Sequence, residues 1–186
     1  HGAENVESVT AADIETVTFN STSFSTVDMV SSDSNVLSSG VFSGTKTLNV
    51  TGDANATISA LTAAKLETID ASALAAKFVI TAPANATGKT QTIKGGAKDD
   101  TFTFGTALDK ADVIDGGGNG STTGDTLTAT INGYGDAVTA NVMTIANVET
   151  IQLTTATNDS YVDASGITGG KTIQLGDTDN ATAQSV

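Results

Sequence analysis

Apolar and polar residues alternate along this chain in short runs, as in Val17 and Phe19 or Ile151 and Leu153. That alternation predicts strands with one face buried. A six-residue phrase containing such runs occurs three times. It reads Ala12-Asp13-Ile14-Glu15-Thr16-Val17, Ala64-Lys65-Leu66-Glu67-Thr68-Ile69 and Ala146-Asn147-Val148-Glu149-Thr150-Ile151, with a shortened relative at Asn5-Val6-Glu7-Ser8-Val9. A second phrase, Asp70-Ala71-Ser72-Ala73-Leu74 running on to Lys77-Phe78-Val79-Ile80, returns as Asp163-Ala164-Ser165-Gly166-Ile167 before Lys171-Thr172-Ile173-Gln174-Leu175. Ser39-Gly40-Val41 leading to Lys46-Thr47-Leu48-Asn49-Val50 is a weaker third copy. Each half-phrase predicts a strand of a few residues followed by a turn, and such units bury their apolar side chains only by stacking on one another. The fold expected is therefore all-β: a parallel β-solenoid with coils of about 20 residues stacked about 4.8 Å apart. The uneven spacing predicts coils of unequal length, with loops protruding from some. A β-sandwich is the alternative, although its strands recur without repeated phrases. Residues 60–76 have a helix-like composition that fits one or two turns of helix.

Composition narrows the core and the chemistry. Hydrophobic residues make up 38% and aromatic residues 4%, with no Trp, so Val, Ile, Leu, Ala and a few Phe must form the interior. One Pro and 19 Gly, beside abundant Thr, Asn and Asp, fit strands joined by tight corners. Acidic residues outnumber basic ones 21 to 8, a formal charge of −13, and every basic residue is a lysine. This balance argues against nucleic-acid partners and against anionic membrane surfaces, and favours hard cations such as Ca²⁺. With no Cys, disulfides and thiolate metal sites are excluded. The only histidine is His1, beside Gly2, and it reads as an expression leftover. No apolar run approaches the ~20 residues that cross a bilayer. The chain is expected to be a single solenoid segment, residues 1–186, of a longer protein.

Residues 95–131 carry the candidate chemistry. Gly95-Gly96-Ala97-Lys98-Asp99-Asp100-Thr101-Phe102-Thr103 resembles the nonapeptide of the RTX family in its leading glycine pair, in Asp100 at the sixth place and in Phe102 at the eighth. Lys98 departs from it at the fourth place, where glycine is expected. A second copy is read in Ala111-Asp112-Val113-Ile114-Asp115-Gly116-Gly117-Gly118-Asn119-Gly120 followed by Gly124-Asp125-Thr126-Leu127-Thr128. There, Ser121, Thr122 and Thr123 look inserted before the aspartate. Glycines let the chain turn sharply with carbonyls facing the corner, and the following Asp aims a carboxylate at the same place. Calcium–oxygen bonds of ~2.3–2.6 Å would let one ion be ligated from two stacked corners. Asp100 and Asp125 are the leading candidate ligands, with carbonyls of Gly95, Gly96, Gly116, Gly117 and Gly118. Asp99, Asp115 and Asn119 come second, and Asp112 third. The corners Gly52-Asp53-Ala54-Asn55 and Gly176-Asp177-Thr178-Asp179-Asn180 fit plain turn chemistry and metal binding equally well, which adds Asp177 and Asp179 to the candidates. In ordinary turns such Asp residues cap backbone amides instead. Asp70 and Asp163 read as strand-end caps. Glu15, Glu67 and Glu149 read as solvent-facing positions, whose stacked row could take up a cation.

The chain thus resembles, in its motifs over about residues 93–131 and more loosely elsewhere, the calcium-binding repeat-rich parts of RTX-type bacterial surface-layer proteins and of large adhesins exported by type I secretion. The resemblance implies a right-handed β-helix, calcium at its corners that drives folding after export, and a secreted protein at the bacterial cell surface. The implied role is structural, in a surface lattice or matrix. Self-association, bridged by calcium or made edge to edge at open coil ends, is the expected partnership, together with neighbouring domains and surface polysaccharide. An adhesin module that binds carbohydrate or a host is the alternative. It would be favoured by Tyr134 and Tyr161 lying exposed side by side. A β-helix enzyme that modifies polysaccharide is less well supported. The chain has no Arg and no internal His, and its serines lack a base to activate them.

Overall fold

A computed structural model of the chain describes residues 4–6, 8–23, 34–84, 90–109, 111–131, 143–155, 164–170 and 172–177. Among these the only helical piece is a single 3₁₀ turn at Ala164–Gly166. All other regular structure is parallel strand, numbered here in chain order. One wall holds eight strands: β1 (Glu4–Val6), β4 (Ser34–Leu37), β7 (Asn55–Ile58), β10 (Phe78–Thr81), β12 (Thr101–Gly105), β14 (Thr126–Ile131), β16 (Thr150–Thr155) and β18 (Thr172–Asp177). The opposing wall holds seven: β3 (Thr16–Ser21), β6 (Thr47–Gly52), β9 (Thr68–Leu74), β11 (Thr92–Lys94), β13 (Val113–Asp115), β15 (Thr144–Ala146) and β17 (Ile167–Thr168). A short third wall stacks β2 (Val9–Thr10), β5 (Gly40–Val41) and β8 (Leu61–Thr62). Strand neighbours in space are one coil apart in sequence, which is a β-solenoid.

Coil length follows from residues that meet across one coil step. The separation is 21 from Gln91 to Asp112, 22 from Phe78 to Asp100, 24 from Asp125 to Glu149 and 25 from Asp100 to Asp125. It reaches 31 from Asn20 to Thr51. Coils are therefore a little longer than the sequence predicts, and as unequal.

Period-two alternation sends one set of side chains inward, and strict register stacks them. In the eight-stranded wall Leu37, Ile58, Ile80, Phe102, Leu127, Ile151 and Ile173 form one column. In the seven-stranded wall Val17, Leu48, Ile69, Ile93, Ile114, Ile145 and Ile167 form another. Interior members of both columns are fully buried, whereas Ile173, at the last strand, is 40% exposed. Phe78 and Phe102 meet edge to face at 6.5 Å between ring centres.

Outward positions of the eight-stranded wall stack as well. Thr101, Thr126, Thr150 and Thr172 make one column, and Thr103, Thr128, Gln152 and Gln174 the next. Thr128 donates from Oγ1 to Gln152 Oε1 at 3.2 Å, and Gln152 donates from Nε2 to Gln174 Oε1 at 3.0 Å.

Two expectations need correction. Residues 60–76 form no helix: β8 and β9 occupy most of the stretch, because Leu66, Ile69, Ala71 and Leu74 are drawn into the stacked core. Glu149 does not face solvent. It is only 6% exposed, whereas Glu15 and Glu67 are exposed as expected. The reason is topological: Thr16 and Thr68 start strands of the seven-stranded wall, but Thr150 starts a strand of the eight-stranded one. The third copy of the phrase thus lies on the other wall.

A buried acid ladder at the glycine-rich corner

A parallel ladder leaves amides unsatisfied where strands begin, because the coil above has not yet entered the sheet. This chain meets the need with an acid placed immediately before the next strand. Asp100, before β12, accepts from the amide of Phe78 at 2.7 Å through Oδ1. Asp125, before β14, accepts from the amide of Asp100 at 2.6 Å through Oδ1. Glu149, before β16, accepts from the amide of Asp125 at 2.8 Å through Oε2. Asp112, before β13, does the same on the other wall, accepting from the amide of Gln91 at 2.7 Å. In each case the side chain of the later coil caps the residue stacked on it from the earlier coil.

The second oxygens differ. Asp100 Oδ2 accepts from the amide of Gly96 at 2.6 Å, and Asp112 Oδ2 from the amide of Asp109 at 2.7 Å. Asp125 Oδ2 is buried with no donor. Asp100, Asp112 and Asp125 are all 1% exposed or less. Burial pushes Asp100 up to about 6, against the opposing amides of Phe78 and Gly96 and the charge of Lys77. Burial likewise pushes Asp112 to about 6, against the amides of Asp109 and Gln91. Asp125 is pushed furthest, to about 7, by burial and then by the neighbouring acids Asp100, Glu149 and Asp99, with only the amide of Asp100 opposing.

The glycines of the motif have a steric reason to be glycine. A Cβ on Gly95 would stand 2.1 Å from Gly116 O and 2.5 Å from Asp100 Oδ2. A Cβ on Gly116 would stand 2.0 Å from Asn147 O and 2.2 Å from Asp125 Oδ2. The carboxylate and the next coil's carbonyl fill the space a side chain would need. The relation is the same in both copies, although Asp follows Gly by different spacings. Lys98 breaks the nonapeptide without strain: among the described residues Asn147 is the only non-glycine at positive φ, 54°.

The remaining candidates are spread around this corner. Asp99 accepts from the amides of Gly120 and Ser121 at 2.8 and 2.9 Å and from the Ser121 hydroxyl, so the inserted Ser121–Thr123 segment folds back onto the coil below. The Ser121 hydroxyl holds Asp99 below the usual carboxylate range. Asp115 accepts from Asn147 Nδ2 at 2.8 Å and from the amide of Gly117 at 3.1 Å. Gly117, Gly118 and Asn119 are exposed, and the amide of Gly118 donates to Gly96 O at 2.9 Å. Asp53 caps the amide of Ser23 and Asp70 the amide of Ser72, both as ordinary turn acids. The side chain of Asp177, and all of Asp163, Asp179, Tyr134 and Tyr161, lie outside the described residues.

The structure brings Asp100 and Asp125 together, and adds Asn147, which the sequence reading passed over, and Glu149, which it placed in a solvent-facing acidic row. Glu149 and Asn147 complete the corner from the coil above. Their signal was present in the run Glu149-Thr150-Ile151, which matches Asp100-Thr101-Phe102 and Asp125-Thr126-Leu127 in order of acid, threonine and apolar residue.

For Ca²⁺, which takes six to eight oxygens, the donor set is uneven. Among the described residues no three acidic side chains converge on one point. Most carboxylate oxygens here already accept an amide. Among the described residues, Asp125 Oδ2 is the one buried side-chain oxygen without a donor, with the carbonyl of Asn147 beside it and acids in the coils on both sides. These residues fit a single cation at Asp125 better than a row of ions.

Comparison with protein-family models, curated proteins and solved structures finds no match to this chain.

Proposed function

We propose that this chain is a non-catalytic, structural length of β-solenoid from a secreted bacterial cell-surface protein, steadied by Ca²⁺ at the Asp125 corner. The observation that carries the calcium reading is Asp125 Oδ2, a carboxyl oxygen buried without a donor between two further acids. Removing such an atom from water is unfavourable unless a proton or a cation accompanies it. At neutral pH, with Asp125 titrating at about 7, a bound ion would displace a proton that the empty site partly retains. Asp125 Oδ2 and neighbouring main-chain carbonyls would hold the ion. Asp100 and Glu149 would add charge from the coils below and above. A cation bound only by the folded stack stabilises it in proportion to occupancy.

The structural role rests on composition and shape. No arginine and no internal histidine are present to build a lyase-like or hydrolytic centre, and the interior is filled by side chains. A stack that repeats one contact is suited to bearing load and to joining neighbours in a surface lattice.

Thermal melts followed by circular dichroism, at pH 7.5 in millimolar calcium and in excess chelator, test the calcium reading. The native chain should melt higher with calcium, and Asp125→Asn should lose that difference while keeping its β-signal. Superimposable melts of the native chain in both buffers would remove calcium from the account.

A further inference from the structure

The walls of this solenoid differ in charge. The outward positions of the seven-stranded wall include Asp70, Lys94 and Asp115, which stack in one column, with Lys94 paired to Asp70 at 3.5 Å. From β7 to β18, the described outward side chains of the eight-stranded wall carry no charge. They are Thr, Gln, Val, Asn and Gly, with Lys77 and Asp99 confined to the rim where strands begin. In a chain of net charge −13 such a surface is unusual. Two copies meeting through most other faces would bring carboxylates against carboxylates, and like charges set against each other oppose association. Two copies meeting through this wall avoid that.

We propose that the threonine and glutamine wall is the surface through which this chain associates side by side with a second copy of itself. The chemistry is self-complementary. A threonine hydroxyl and a glutamine amide each donate and accept, so an identical wall supplies a partner for every group the wall presents. The threonines are β-branched and stacked in register, so little rotamer freedom remains to be lost on contact. The glutamine ladder from Gln152 to Gln174 already shows these side chains bonding one another across coils at 3.0 Å.

Size sets the strength. Six strands spaced by ~4.8 Å and about five residues long make a patch of the order of 400 Å². That is about half of the ~800 Å² per partner in a standard interface. One contact should therefore be weak, with a dissociation constant in the ~µM to mM range, and should become effective through repetition in an array. This inference deepens the reading as a lattice protein but does not require calcium, so it is tested in chelator.

Sedimentation equilibrium of the purified chain over a wide concentration range gives the measurement. A reversible monomer–dimer equilibrium is expected, strengthened by added salt as residual repulsion between the acidic copies is screened. Thr128→Lys, on the central strand β14, should weaken it by tenfold or more. That substitution lowers the net negative charge, so the loss cannot come from greater overall repulsion. Thr18→Lys, on the exposed face of β3 in the other wall, should leave the equilibrium unchanged. Melting temperatures of both variants report whether the fold is kept. A chain that stays monomeric up to the highest concentration overturns the proposal, as does association that survives Thr128→Lys but yields to Thr18→Lys.

Discussion

A carboxylate withdrawn from water keeps its charge only where donors or cations face it. Asp125 has one donor, at Oδ1, and acids in the coils on either side. The sign of its pH dependence follows. Unfolded, the group titrates near 3.8; folded, at about 7. Between those values the unfolded chain sheds a proton that the folded chain keeps, so stability is full below about 4, falls as pH rises toward 7, and levels off above. Asp100 and Asp112, each pushed to about 6, act in the same direction. Urea midpoints measured in chelator should therefore be lower at pH 7.5 than at pH 5, and Asp125→Asn should flatten much of that slope. Equal midpoints for the native chain at the two pH values would refute the ladder as a source of instability.

Strands and turns are placed by the contacts of the corner. Gly116→Ala sets a Cβ 2.0 Å from Asn147 O, a backbone atom that cannot step aside without moving the coil above. It should cost about 2 kcal/mol or more by chemical denaturation. Gly118→Ala meets nothing closer than Ala97 Cα at 3.5 Å, and should be nearly neutral. At this scale the sequence was informative wherever the signal was local. The glycines, Asp100 and Asp125 stood out because the turn and the acid lie within one short motif. What they bond to did not, since the capped amides of Phe78 and Asp100 lie 22 and 25 residues away and depend on register. Glu149 was misread for the same reason. Its phrase is shared with Glu15 and Glu67, and only the wall on which the strand falls decides whether the acid is buried. Residues 60–76 misled differently, as helix-like composition yielded to the demand for apolar side chains at Leu66, Ile69 and Leu74 in the stack.

The described coils are held together by two apolar columns, and alternation taken together with the recurring phrases was enough to reveal the architecture. Phe102 sits mid-column, fully buried, between Ile80 and Leu127. Phe102→Ala should lower stability by about 3–5 kcal/mol, since neither neighbour can close the gap without breaking register. A smaller loss by urea unfolding would mean that the stack yields more readily than its register implies. The ladder of acids adds something the columns lack, because a column looks the same read upward or downward and the ladder does not. Asp100, Asp125 and Glu149 each reach back to the coil before their own. A coil is thus completed by its successor. Along these three steps, removing the later coil strips the side-chain cap from the amide of Phe78, Asp100 or Asp125, whereas removing the earlier coil leaves the acid idle and frees main-chain donors such as Thr126 and Thr150. These side-chain caps accordingly have a polarity, and a chain laid down from its N-terminus gains each of them only when the following coil is in place.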